Sequence, residues 1–165
     1  TEERAPNPFS PYGACKVAAS CLTKVWAKEV GIEWIWARVF SIYGKYESDL
    51  TMLFMLFQRL RAGEVCTLSS CTQHWDYLYG RDAGNALIAL AERGADGEIY
   101  NVAHGEHRPL RCYVEDIVKT FFPKGRIAYG KTPGAVSLSP SVEKLKGLGW
   151  HPAVGFLEGA RDLLM

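Results

Sequence analysis

Tyr12 and Lys16 stand four residues apart at the start of a stretch, Tyr12 to Val30, whose residues favour helix. That spacing puts both side chains on one helix face. A free phenol, with a pKa of about 10, is a poor base at neutral pH. A neighbouring ammonium favours the phenolate and lowers that value. In outline the pair is a proton-transfer device, with Tyr12 as acid/base and Lys16 as its electrostatic tuner. Any helix can carry Tyr-x-x-x-Lys, however, and on spacing alone a surface pair without function is the commoner meaning.

The elements that must position the pair are readable along the chain. Residues 1–11 are loop-like, with Pro6, Pro8 and Pro11, and Gly31 is a stop for the first helix. Ile32–Phe40, rich in β-branched and aromatic residues, reads as a strand buried on both faces. Helices are expected at Leu50–Ala62, Asp82–Arg93 and Leu110–Phe122. Two shorter ones are expected near Ser141–Leu148 and Phe156–Leu164. Strands are expected at Val65–Leu68, Trp75–Tyr79, Glu98–Ala103 and Arg126–Tyr129. The alternation of helix and strand argues for the α/β class.

The bulk numbers narrow the function classes. At 165 residues the chain fits one domain, and 48% hydrophobic with 22% charged residues is a globular composition. A net charge of +1 argues against a nucleic-acid partner held by a strong positive field. No apolar run is long enough to span a bilayer, so no membrane association is expected. Five cysteines without a C-x-x-C point to a reduced, cytoplasmic protein. The chain lacks an initiator Met and opens in what reads as mid-loop, so it is expected to be a fragment of something longer. No glycine-rich turn of the G-x-G-x-x-G kind opens a helix, so nothing in the chain is expected to cradle a pyrophosphate.

Context gives the pair its meaning. The segment Pro6-Asn7-Pro8-Phe9-Ser10-Pro11-Tyr12-Gly13-Ala14-Cys15-Lys16 resembles the active-site segment of the extended short-chain dehydrogenase/reductases, which include sugar-nucleotide epimerases and dehydratases. Four further segments resemble that family's landmarks in order. They are Arg38–Gly44, Trp75–Ala83, Glu98–Gly105 and Leu148–Pro152. Together they cover nearly the whole chain.

The resemblance implies an NAD- or NADP-dependent epimerase or dehydratase acting on a nucleotide sugar. Tyr12 would move a proton to or from a sugar hydroxyl while hydride passes to or from nicotinamide. Lys16 would also hydrogen-bond the nicotinamide ribose. Phe40, Ser41 and Ile42 would lie against the cofactor, and Ser41, where many members have Asn, would also touch the sugar. Trp75 stands where many members place an Arg, and Lys131 lies where many carry Arg-x-Gly-Asp. Both are candidate substrate contacts, Trp75 by stacking and Lys131 as a point charge. Packing in the core is the alternative for Trp75.

The implied fold is the C-terminal portion of a doubly wound, Rossmann-like parallel sheet plus a small substrate-binding lobe. The chain would be a single partial domain, 1–165, whose glycine-rich dinucleotide-binding half lies upstream. Ala18, Leu22 and Val25 would share one face of the first helix and offer a homodimer contact, or else pack inside the monomer. A non-catalytic remnant, or an interaction half that needs a partner chain, is the competing expectation. Cys66, Cys71 and His74 lack a standard zinc spacing, and no metal site is expected.

Overall fold

The structure is a computed structural model that describes residues 1–132, 134 and 136–164. In chain order its elements are α1 (Pro11–Val30), β1 (Trp36–Val39), β2 (Ser41–Tyr43), α2 (Met52–Arg61), β3 (Val65–Leu68) and β4 (His74–Trp75). They continue with β5 (Tyr77–Tyr79), α3 (Gly80–Arg93), β6 (Ile99–Val102), β7 (Arg108–Pro109), α4 (Leu110–Phe121) and β8 (Arg126–Tyr129). Two short helices, α5 (Glu143–Lys146) and α6 (Phe156–Ala160), and a 3-10 turn, Arg161–Leu164, complete it. Among the described residues no helix is long and apolar enough to cross a membrane.

Helix α1 starts where local chemistry says it should. The Ser10 hydroxyl accepts the Gly13 N–H at 3.1 Å, and Pro11 occupies the first helical position, where its missing N–H costs nothing. Gly31, at φ 70°, ends the helix in the left-handed region that favours glycine.

Three strand pairs are parallel: β1 with β6, β2 with β5 and β3 with β8. The β4–β7 pair is antiparallel. The single strand expected over Ile32–Phe40 is a correction. Its first part is extended lead-in anchored by the Trp34 N–H on Asp96 at 2.7 Å, and only Trp36–Val39 pairs with β6. At Phe40 the chain leaves that ladder, its N–H still bonded to the Val102 carbonyl, and enters the β2–β5 pair. Nor is this strand buried on both faces: Ile32 is 64% exposed and Val39 45%.

The expected strand Trp75–Tyr79 is likewise split at Asp76, whose neighbours pair with different partners. Strands β2 and β7, of three and two residues, were not expected; runs that short carry no periodicity. The expected helix Ser141–Leu148 shrinks to α5, while Phe156–Leu164 is helical over its expected length, as α6 followed by the 3-10 turn.

Two apolar clusters hold the elements. In the first, Leu53, Leu56, Phe57 and Leu60 of α2 form one helical stripe against Tyr113, Val114 and Ile117 of α4, with Tyr43 and Tyr77 from β2 and β5. Each such side chain contributes about 1.5–3 kcal/mol when fully buried. The second packs Ala83, Ala86, Ala89 and Leu90 of α3 onto Tyr100 and Val102 of β6, closed by Leu145 and Trp150. In contrast, α1 has no buried residue.

Candidate active site

Arg38 sets the approach to Tyr12. From the centre of β1 its guanidinium donates to the backbone carbonyls of Glu2 at 3.0 Å and Arg4 at 3.2 Å. The Glu2 carboxylate in turn accepts the Asn101 N–H of β6 at 3.1 Å. The opening loop is thereby tied to the parallel pair, and α1 begins from a fixed point.

Tyr12 and Lys16 then lie one turn apart, as the spacing requires. Lys16 Nζ sits 5.4 Å from the centroid of the Tyr12 ring, within cation–π range. Tyr12 is 73% exposed, and among the described residues neither its hydroxyl nor the Lys16 ammonium has a hydrogen-bond partner. Both polar ends are free to meet a ligand.

The other expected site residues fall into separate places. Phe40 lines a cleft of about 540 Å³ together with Gly13, Val17 and Asn101, bounded by the opening loop and by Val136–Pro140. Ile42 lines a different cavity of about 670 Å³, formed by Tyr43, Gly44–Ser48, Tyr79 and Arg81. The larger cavity is thus not the one at the Tyr12 end of α1, and the smaller cleft is the better candidate for chemistry. Lys16 borders a third hollow of about 390 Å³ with Lys24, Arg38 and the stacked Trp34 and Trp36. Ser41 is half-buried opposite Tyr77.

Trp75 and Lys131 line none of these hollows. Trp75 is partly buried against the first apolar cluster, and its buried indole N–H has no partner among the described residues. Lys131 is exposed, in a bend just after β8; Pro133 and Ala135 of the same segment lie outside the described residues. Cys66 and Cys71 are buried while His74 is exposed. Burial pushes the Cys66 thiol up, so it is a poor thiolate.

Two carboxylates that sequence reasoning assigned no role organise this side of the molecule. Asp76 is fully buried and accepts the N–H groups of His104 and Gly105, each at 2.7 Å. Asp82, also buried, accepts those of Ala153 at 2.9 Å and Val154 at 2.8 Å. The available signal was a carboxylate between Trp75 and Tyr77 inside an apolar stretch, since buried charges persist only when hydrogen-bonded. Asp76 joins the Trp75 strand to the loop after β6, and Asp82 joins α3 to the C-terminal turns.

With this geometry in place, comparison with known proteins is direct. Residues 1–103 match the model of the NAD dependent epimerase/dehydratase family. The chain belongs to that family. Among epimerase/dehydratase relatives, the dTDP-glucose 4,6-dehydratase of Escherichia coli is 29% identical over 122 residues, 73% of this chain and 32% of that protein. The human dTDP-D-glucose 4,6-dehydratase is 22% identical over 174 residues, 99% of this chain and 50% of that protein. The chain therefore spans half or less of the length of these two relatives.

Solved structures agree on the fold. RMD from Pseudomonas aeruginosa, complexed with NADPH, superposes with a TM-score of 0.88 at 22% identity, covering 99% of this chain and 57% of that one. The UDP-glucose 4-epimerase of Thermus thermophilus, in complex with NAD, gives 0.79 at 27% identity, covering 99% and 56%. This epimerase/dehydratase chain thus has the α/β fold expected for the C-terminal portion of a Rossmann-like enzyme.

Proposed function

We propose that Tyr12 and Lys16 are the proton-transfer pair of an NAD(P)-dependent epimerase or dehydratase that acts on a nucleotide sugar. The observation that carries this reading is their placement. They lie on the first turns of a capped helix, solvent-facing, with free polar ends, and their helix neighbours Gly13 and Val17 line the cleft that Phe40 lines. The family match agrees with it.

When bound, the nicotinamide supplies hydride acceptance and donation. The chain's own groups do the rest. Tyr12 Oη takes or returns the proton of a sugar hydroxyl. The Lys16 ammonium lies 5.4 Å from the centroid of the Tyr12 ring, on the same helix face. Lys16 has donors to spare and can hold a ribose hydroxyl as well. Ser41 offers a hydroxyl to the substrate and Phe40, on the cleft, offers apolar surface to the nicotinamide. Ile42, on the other cavity, and Trp75, packed on the first apolar cluster, are left out of this site, while the exposed Lys131 is kept as a point charge for the substrate's phosphates.

On this reading the chain is the C-terminal half of the enzyme and the pyrophosphate cradle belongs to another segment. The exposed Ala18, Leu22 and Val25 on α1 are the proposed homodimer contact, since among the described residues nothing buries them. The cytoplasm is the proposed compartment. A second reading, an interaction half that needs a partner chain, is favoured by the same bare helix and by β1, which pairs on one edge only among the described residues.

The test is Tyr12→Phe in an enzyme containing this segment, assayed against a panel of sugar nucleotides. Turnover is expected to fall by about two orders of magnitude or more, with cofactor binding retained. A variant that keeps wild-type rates overturns the assignment.

A further inference from the structure

We propose that His74 and His107 form a two-imidazole site for a divalent transition cation on the face of the β4–β7 pair. The register places the two side by side. His74 lies opposite Pro109 and Trp75 opposite Arg108, so His107 is the diagonal neighbour of His74 on the same face. Large side chains at such positions are within reach of one another. Here the rings meet with centroids 6.1 Å apart and planes at 68°.

The His74 backbone is held directly, and the segment that leads into His107 is pinned. The His74 N–H donates to the Ser137 hydroxyl at 3.2 Å, and the His74 carbonyl accepts the Leu138 N–H at 2.9 Å. Just before His107, the buried Asp76 carboxylate fixes the N–H groups of His104 and Gly105. Tyr113 Oη donates to the Glu106 carbonyl at 2.8 Å.

The surroundings suit a cation. Both imidazoles are exposed. The guanidinium of Arg108, next to His107 in the chain, is neutralised by Asp116 at 2.7 Å and lies over the Tyr113 ring. Exposed Glu106 adds a carboxylate beside His107. Among the described residues no group of three or more His, Cys, Asp or Glu converges, so the protein supplies two ligands and water completes the shell. Imidazole suits copper, nickel and zinc, and copper should bind more tightly than nickel.

The chain has four histidines, which makes the test clean. The full untagged chain, with the exposed Cys15 and Cys21 replaced by serine, is titrated calorimetrically with Ni²⁺ and with Cu²⁺. One-to-one binding is expected. His74→Gln and His107→Gln should each weaken it by about tenfold or more, and the double variant should abolish it. His104→Gln and His151→Gln should leave it unchanged. Absence of saturable binding, or equal binding by the double variant, overturns the proposal. So does a loss on replacing His104 or His151 that matches the loss at His74 or His107.

Discussion

The Asp76 carboxylate stands 2.7 Å from the backbone nitrogen of His104, and its second oxygen stands as close to that of Gly105. No side-chain cation accompanies it among the described hydrogen bonds. Two backbone N–H groups satisfy the buried side chain, one on each oxygen. Asp76→Ala leaves two buried N–H groups unpaired and is expected to cost about 2–5 kcal/mol of stability. Asp76→Asn keeps one acceptor and should cost about half as much. Urea unfolding of the three chains checks the order; equal stability of wild type and Asp76→Ala would remove the carboxylate's structural role.

Asp76 also shows where reading the sequence stops. Periodicity and capping located α1, α2, α3, α4 and β8 closely, because their signals are local: Ser10 and Pro11 start α1, Gly31 ends it, and the α2 stripe repeats at helical spacing. The division of Ile32–Phe40 is not local. It depends on Phe40 leaving one ladder for another, decided by Val102 and Tyr77, residues far along the chain. The site divides the same way. The spacing of Tyr12 and Lys16 was legible and the resemblance gave it meaning. The separation of Phe40, Ile42 and Trp75 into different surroundings is set by tertiary packing, which no single segment encodes.

Gly159 is expected to tolerate no side chain. A Cβ there would stand 2.6 Å from both the Tyr43 hydroxyl and a Tyr79 ring carbon. Neither neighbour can retreat. Tyr43 is buried and donates to the Phe156 carbonyl at 2.9 Å, and Tyr79 donates to Asp162. Burial, the largest cause, pushes the Tyr43 phenol well above its ordinary value, so it stays a donor at any working pH. Gly159→Ala should therefore lose about 1–3 kcal/mol. A thermal melt that matches wild type would show that α6 shifts freely.

Glu47 gives the chain a pH signature. Burial raises its pKa above the ordinary carboxylate value, outweighing the hydrogen bonds of Thr51 and Gly44, and its Oε2 atom is buried without a partner among the described residues. A folded pKa above the unfolded one means that folding favours the protonated form. This group's contribution is then most favourable below its unfolded pKa and is lost as pH rises through the folded value. Glu47→Gln removes the charge. It should raise the urea midpoint at about pH 7 and leave it little changed well below the ordinary carboxylate pKa, where Glu47 is protonated in both states. A variant less stable than wild type at neutral pH would show that the charged form is the favoured one.

The 165-residue chain alone is expected to bind no NAD(H) measurable by titration calorimetry. Its proposed contacts to the cofactor are Tyr12 and Lys16, with apolar surface from Phe40, and Tyr12 is 73% exposed. A neutral hydrogen bond from Tyr12 contributes about 0.5–1.5 kcal/mol and one from the Lys16 ammonium about 1.5–3 kcal/mol. Association costs on the order of 4–15 kcal/mol in lost freedom before any net affinity appears. Even uncosted, the two bonds together correspond to roughly millimolar binding at best, at about 1.4 kcal/mol per decade. The missing contribution is a glycine-rich turn at a helix N-terminus, which holds a pyrophosphate through backbone N–H groups; no such motif occurs in the sequence. Adding a segment that carries one, in the same chain or in trans, should restore binding, and Lys16→Ala should then weaken it. Tight one-to-one binding by the chain alone would show that residues 1–165 hold a complete cofactor site and that the division into halves is wrong.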